Sequence, residues 1–294
     1  MKTLEVGNIW YFFYIVVCGG IAAAGFFPFR KATEKKKYIY VLTLSFVNFA
    51  LHFLKLLLPE YQYFPMSLRK CTFENICAVS VLIYPFVMMS KSDTAKDYVV
   101  FLGMIGGAAA IFVPTGAWGH PPFRLESIRF YLSHILLFMQ AFYTLMLGLH
   151  RPSYKRFWRV PISFFLILGV ITLNEFVLRA TGFTEETLDQ MVGDPTASRN
   201  GIFIFGLPEN MESKLGFLTA VVPDFMKHGF GYRSGDFLWP WVWLFWPIIT
   251  YGEIAAHAIG FTWGWKELKE DLDKRKTASI SNAGSGRKIY RKRR

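Results

Sequence analysis

Charge is scarce in this sequence. Only 18% of its 294 residues are Asp, Glu, Lys or Arg, against about a quarter in ordinary soluble domains. With 53% hydrophobic residues, that scarcity excludes a disordered chain and argues against a water-soluble domain. Cysteine is scarcer still. Cys18, Cys71 and Cys77 have neither CxxC nor metal-ligand spacing, which excludes a disulfide framework. No metal and no cofactor are expected. Alternating polar and apolar runs are lacking too, which excludes a transmembrane barrel.

What is present is a series of continuous apolar runs, each near the ~20 residues that a membrane helix needs. The fold class is therefore all-α: a polytopic membrane bundle with seven transmembrane helices. The spans are read at 8–29, 38–58, 68–90, 98–113, 127–149, 159–179 and 238–262. A cleaved signal peptide is the rival reading of the first, with the small residues of IAAAG as its cleavage site. The basic run RKATEKKK directly behind it argues against cleavage. Span 4 carries Gly106-Gly107-Ala108-Ala109-Ala110; small residues let backbones approach closely, so it is placed centrally. The membrane domain is taken as 1–265, including a cap at 180–237, and a basic, disordered tail follows at 266–294.

The net charge is +12. Because the basic residues border apolar spans, they read as topology signals and lipid contacts, not as a nucleic-acid surface. Loop 30–37 holds five Lys/Arg, loop 150–158 holds Arg151, Lys155 and Arg156, and the tail holds eleven. Loop 59–67 holds none and 114–126 only Arg124. By the positive-inside rule the N-terminus lies outside and the C-terminus inside. The expected location is the cell membrane, with the tail along anionic inner-leaflet lipid.

That topology sets depths. At ~1.5 Å per residue, His134 lies roughly 10 Å below the outer boundary. His52 and Lys55 on span 2, Glu74 and Asn75 on span 3, and Asn174 and Glu175 on span 6 come to a similar level. Cys71, Glu74, Asn75 and Ala78 make a stripe on span 3; Ser127, Tyr131 and His134 share a face of span 5. Ionisable groups at such depth usually face protein or water and line sites. The layer reads as a polar cavity open to the outer leaflet, or as a structural network tying helices together. Glu253 and His257, four apart on span 7, read as a structural hydrogen bond or as a metal or proton site, with two ligands on one helix too few to close a metal site.

FPMSLRKC at span 3, PPFRLESIRFYLSH into span 5, TLNEFVLRATG closing span 6 and LWPWVW opening span 7 resemble the YwaF family. That family includes the transmembrane protein 164 group. The resemblance covers about 38–262, and FYLSH and WPW are its most specific parts. It implies acyl transfer onto phospholipids through a cysteine thioester, with a histidine partner. His134 matches the family's span 5 histidine. After Pro65 the family shows histidine or cysteine within a few residues; here Met66-Ser67-Leu68-Arg69 intervene, and Cys71 stands two positions further on.

The function expected is a lipid acyltransferase or acyl-ester hydrolase with membrane lipid as partner. His134 is its base, Cys71 or Ser67 its nucleophile, and Glu74 or Glu175 orients the imidazole. His52, Lys55, Asn75, Tyr131 and Asn174 are the substrate-binding candidates; Lys55, Asn75 and Asn174 carry donors suited to an oxyanion. The same residues suit two other readings. One is a binding or transport protein for a small organic ion or lipid headgroup, against which the lack of an internal repeat counts. The other is a non-catalytic assembly protein.

Overall fold

The computed structural model describes residues 3–62, 66–184 and 266–278, the side chains of Glu60 and of 66–68 excepted. Span 7, the cap beyond 184, Glu253 and His257 lie outside the described residues. Those described form helices and turns, without a strand: α1 (Ile9–Phe26), α2 (Glu34–Leu54), α3 (Met66–Cys71), α4 (Ile76–Met89), α5 (Asp93–Phe112), α6 (Leu125–Met146) and α7 (Arg159–Ala180). Four of these are long and apolar enough to cross a membrane: α1, α2 with its 3-10 extension to Leu57, α5 and α7. α6 has the length, 22 residues, but carries Glu126, Arg129, His134 and Gln140.

The expected continuous span 3 is two helices. α3 stops at Cys71, residues 72–75 are irregular, and α4 begins at Ile76. Thr72 folds its hydroxyl back to the Arg69 carbonyl at 2.9 Å. Asn75 is extended and accepts from the Ala78 amide at 2.8 Å, capping α4. Side chains of this kind offer the backbone alternatives to helix and favour the N-cap. The stripe of Cys71, Glu74, Asn75 and Ala78 therefore does not exist as one helical face.

α5 and α6 pack with their backbones almost touching. A Cβ added to Gly103 would lie 2.8 Å from the Ala141 Cβ, and one on Gly107 would lie 2.9 Å from the His134 carbonyl oxygen. Glycine at this four-residue spacing lets two backbones touch. α2 crosses α6 through a reciprocal pair: Ser133 Oγ donates to Asn48 Oδ1 at 2.9 Å, and Asn48 Nδ2 to the Ser133 carbonyl at 3.1 Å. α1 is tied in by Tyr14, whose hydroxyl donates to the Pro122 carbonyl at 2.5 Å. Tyr143 donates to the Ala22 carbonyl at 2.6 Å. The fully buried Leu4 pairs with the loop before α6, its amide donating to the His120 carbonyl at 2.9 Å.

At the end of the bundle away from the α3–α4 break, the N-terminal end of α5 meets the α6–α7 loop. His150 Nε2 lies 2.6 Å from Asp97 Oδ1, and Arg156 Nε donates to Asp97 Oδ2 at 2.7 Å. The Asp97 carboxylate raises the Arg156 pKa. Residues 266–278, expected to be disordered, are helical. Acidic residues four apart explain the docking. Lys155 Nζ sits 2.6 Å from Asp271 and 3.8 Å from Glu267, while Ser153 donates to Glu267 at 2.6 Å and Tyr154 to Asp271 at 2.9 Å.

Two outcomes are expected. Gly107→Val should destabilise the bundle by ~1–3 kcal/mol, the usual range for overpacking, read as a lower midpoint of thermal unfolding in detergent. An unchanged midpoint would refute the close α5–α6 contact. Lys155 and Tyr154 hold the Asp271 carboxyl below its ordinary 3.8. Its contribution to docking is therefore present above that value and fades as pH falls through the lowered one. A spin-label distance from 272 to 157 should be unchanged from pH 7 to pH ~5 and lengthen in Lys155→Ala at any pH in that range. A distance indifferent to Lys155→Ala would remove the ion pairs as the cause.

Candidate functional site

The α3–α4 break is where the charged residues gather. α2 ends in a 3-10 turn, which brings His52 and Lys55 onto the break. His52 Nε2 lies 3.4 Å from the Cys71 carbonyl oxygen. Lys55 Nζ reaches Glu74 Oε1 at 3.3 Å, and Lys70 Nζ, one turn before Glu74, donates to Oε2 at 2.7 Å. From α7, Asn174 Nδ2 donates to Thr72 Oγ1 at 3.0 Å. Glu175, 0% exposed, accepts from Arg179 Nη1 at 2.5 Å and faces Arg69 Nε at 3.6 Å. From α6, Arg129 Nε donates to Glu126 Oε2 at 2.7 Å, and Tyr61 donates to Glu126 Oε1 at 2.5 Å. Burial, and then the Glu126 carboxylate, push the Tyr61 hydroxyl well above the ordinary phenol range.

Each carboxylate thus faces two partners: Glu74 accepts from Lys55 and Lys70, Glu126 accepts from Arg129 and Tyr61, and Glu175 accepts from Arg179 while Arg69 faces it at ion-pair distance, 3.6 Å. A carboxylate removed from water requires this, because an unpaired buried charge costs several kcal/mol. The arrangement fastens α2, α3, α6 and α7 to one another. Asn75 spends its side-chain oxygen on capping α4.

Of the residues expected from sequence, His52, Lys55, Cys71, Glu74, Asn75, Asn174 and Glu175 come together around the break. Cys71 is half-buried there, within electrostatic reach of Lys55 and Glu74. Ser67 lies in α3, with its side chain outside the described part. Tyr131 is turned the other way and stacks on Tyr14 of α1 with ring centroids 4.0 Å apart. Ser127, expected on the same face, donates to the Pro121 carbonyl at 3.0 Å. That stripe of α6 faces α1 and α5, while Glu126, Arg129 and Ser133 face α2 and the break.

His134 stands on the stripe's edge. Its Nδ1 lies 2.7 Å from the Phe130 carbonyl oxygen, and its ring packs on Phe130 at 4.3 Å. A carbonyl only accepts, so the Nδ1 carries the proton and Nε2 holds the lone pair. Arg129 lies within electrostatic reach of both His134 and His52. No hydrogen bond among the described residues joins His134 to Cys71.

Sequence reasoning passed over Arg69, Lys70, Thr72, Glu126, Arg129 and Tyr61. Two of their pairs had a signal: Lys70–Glu74 at i, i+4 and Glu126–Arg129 at i, i+3, helical neighbours by spacing. Tyr61 and Arg69 had none, because their partners are distant in sequence. Among the described residues there is no group of three or more His, Cys, Asp or Glu placed to hold a metal ion.

Glu175→Gln should leave Arg69 and Arg179 facing a neutral group and lower stability by about 3–5 kcal/mol, the range for breaking a buried pair. Urea or thermal unfolding in detergent reads this. A loss below about 1 kcal/mol would mean that the pair is solvated and worth little.

No curated protein and no solved structure matches this chain. A family model described as the TMEM164 family matches residues 4–182, ending at the close of α7, so LWPWVW lies beyond the match. The matched segment holds α1 to α7, the α3–α4 break and His134, and on that basis this membrane protein belongs to the TMEM164 family.

Proposed function

We propose that this protein is a lipid acyltransferase or acyl-ester hydrolase of the cell membrane, with Cys71 as nucleophile and His134 as base. The observation that carries the reading is the setting of Cys71. Among the described residues it is the one thiol at the α3–α4 break, half-buried, within electrostatic reach of Lys55 and Glu74, with His52 against its backbone carbonyl. The proposed arrangement has seven spans with the N-terminus outside, the break in the outer leaflet, and the basic tail against anionic inner-leaflet lipid. A lipid ester then reaches the thiol without leaving the membrane.

In the proposed reaction the thiol gives its proton to an imidazole. The thiolate attacks the ester carbonyl carbon, and a C–S bond forms. The oxyanion draws on Lys55 or Asn174 as donor. The C–O bond breaks, and the leaving lyso-lipid oxygen takes the proton back from the imidazolium. An acceptor hydroxyl or water then attacks the thioester carbon, losing its proton to the same imidazole; the C–S bond breaks and the departing thiolate takes that proton back. The Nε2 lone pair suits His134 to this task.

Cys71→Ala and His134→Ala should each lower acyl transfer or ester hydrolysis on phospholipid vesicles by ~10²–10⁴-fold, the range for losing a nucleophile or positioned base. His52→Ala serves as the contrast, since His52 is the imidazole nearer the Cys71 backbone. Loss only with His52 would reassign the base. Equal activity of wild type, Cys71→Ala and His134→Ala would end the enzyme reading.

A further inference from the structure

Deeper in the bundle, α4, α5 and α6 enclose a second group of polar side chains that the layer at the break does not use. Ser80, Tyr98 and Gln140 are 1%, 2% and 0% exposed. Among the described residues, the Ser80 hydroxyl, the Tyr98 hydroxyl and both polar atoms of the Gln140 amide have no hydrogen-bond partner of good geometry. Gln140 contributes only its backbone: its carbonyl accepts from Tyr84 at 2.9 Å and from Thr144 at 2.7 Å.

These atoms belong to one place. The Tyr98 hydroxyl of α5 approaches Ser80 of α4, short of a well-formed hydrogen bond, and lies near Cys77. Ser80 is one helical turn before Tyr84, on the same face. Tyr84 touches the Gln140 carbonyl and Thr144, and Met88 touches Thr144, so α4 and α6 run side by side in register here. Helical side chains lean toward their own N-terminus, so the Gln140 amide reaches back from the Tyr84 level toward Ser80.

Hydrocarbon offers such groups nothing, and membrane interiors satisfy their polar atoms within the protein or through enclosed water. Leaving one unsatisfied is costly, and the cost recurs at three side chains on three helices. We propose that Ser80, Tyr98 and Gln140 form an internal hydration site at the α4–α5–α6 junction. The donor set fixes the ligand class. Two hydroxyls and one amide, uncharged, offer donors and acceptors in mixture, which fits water and not an ion. Water so placed would complete the hydrogen bonding of the junction without bringing solvent from either surface.

X-ray hydroxyl-radical footprinting in ¹⁸O-water tests this on the full-length protein in detergent. Radiolysis of bound water labels the side chains beside it even when bulk solvent does not reach them. Tyr98 and Tyr84 should incorporate ¹⁸O severalfold faster than Tyr143. That tyrosine is equally inaccessible, but its hydroxyl meets the Ala22 carbonyl of α1, away from the α4–α5–α6 junction. Gln140→Leu should suppress the excess, and Ser80→Ala does the same service if Gln140→Leu does not fold. Labelling of Tyr98 and Tyr84 no faster than Tyr143 in the wild type overturns the proposal and leaves a dry junction. Excess labelling that survives both substitutions also overturns it, because the water would then lie elsewhere. Neither result depends on whether the protein turns over a lipid.

Discussion

The contact between α5 and α6 carries the rest of this fold. Gly103 and Gly107 present bare backbone to Ala141, Phe138 and the His134 carbonyl. In hydrocarbon the usual hydrophobic gain from bringing helices together is missing, so close packing and hydrogen bonds must hold them. Once α6 is set against α5, one side of α6 faces α1 and α5 through Tyr131. The other side turns Glu126, Arg129 and Ser133 toward α2. The orientation of His134 follows from the same contact, since its own carbonyl is the atom pressed against Gly107.

Around that axis the two ends of the bundle are closed by charge pairs of different character. At the α3–α4 break the pairs are buried, and three carboxylates each face two partners. At the other end they are mixed. Asp97 is buried with His150 and Arg156, whereas Lys155, Glu267 and Asp271 meet in the open. Buried pairs hold because losing one partner strands the other. Exposed pairs of this kind are weak and screened by salt. The first set fastens transmembrane helices together; the second lays a peripheral helix on a loop and leaves it free to detach.

The break between α3 and α4 also explains why the site is where it is. An unbroken span would have put Cys71, Glu74 and Asn75 on one helical face. Ending α3 at Cys71 lets Thr72 and Glu74 turn to α7 and α2, and lets Asn75 start a new helix. Irregular backbone at membrane depth is tolerated where side chains satisfy it. Here Thr72 and Asn75 do so, and Asn174 completes the hydroxyl of Thr72.

The membrane class, the helical content and the run of apolar segments were legible in the sequence, because span length and continuity follow from the thickness of a bilayer. The gathering of His52, Lys55, Glu74, Asn174 and Glu175 at one level was legible too, since depth along a helix is a matter of counting. Facing was not. Whether Tyr131 and His134 look toward Cys71 or toward α1 depends on which neighbour α6 touches, and only the α5–α6 contact decided that. The interruption of span 3 had its signal in Thr72 and Asn75, but the apolar run from Ile76 onward concealed it. The partners of Arg69 and Tyr61 left no trace in the sequence, because a pair of charges distant in the chain has no periodicity. One dimension of the chain fixes depth; the remaining two, rotation and adjacency, exist only when helices pack.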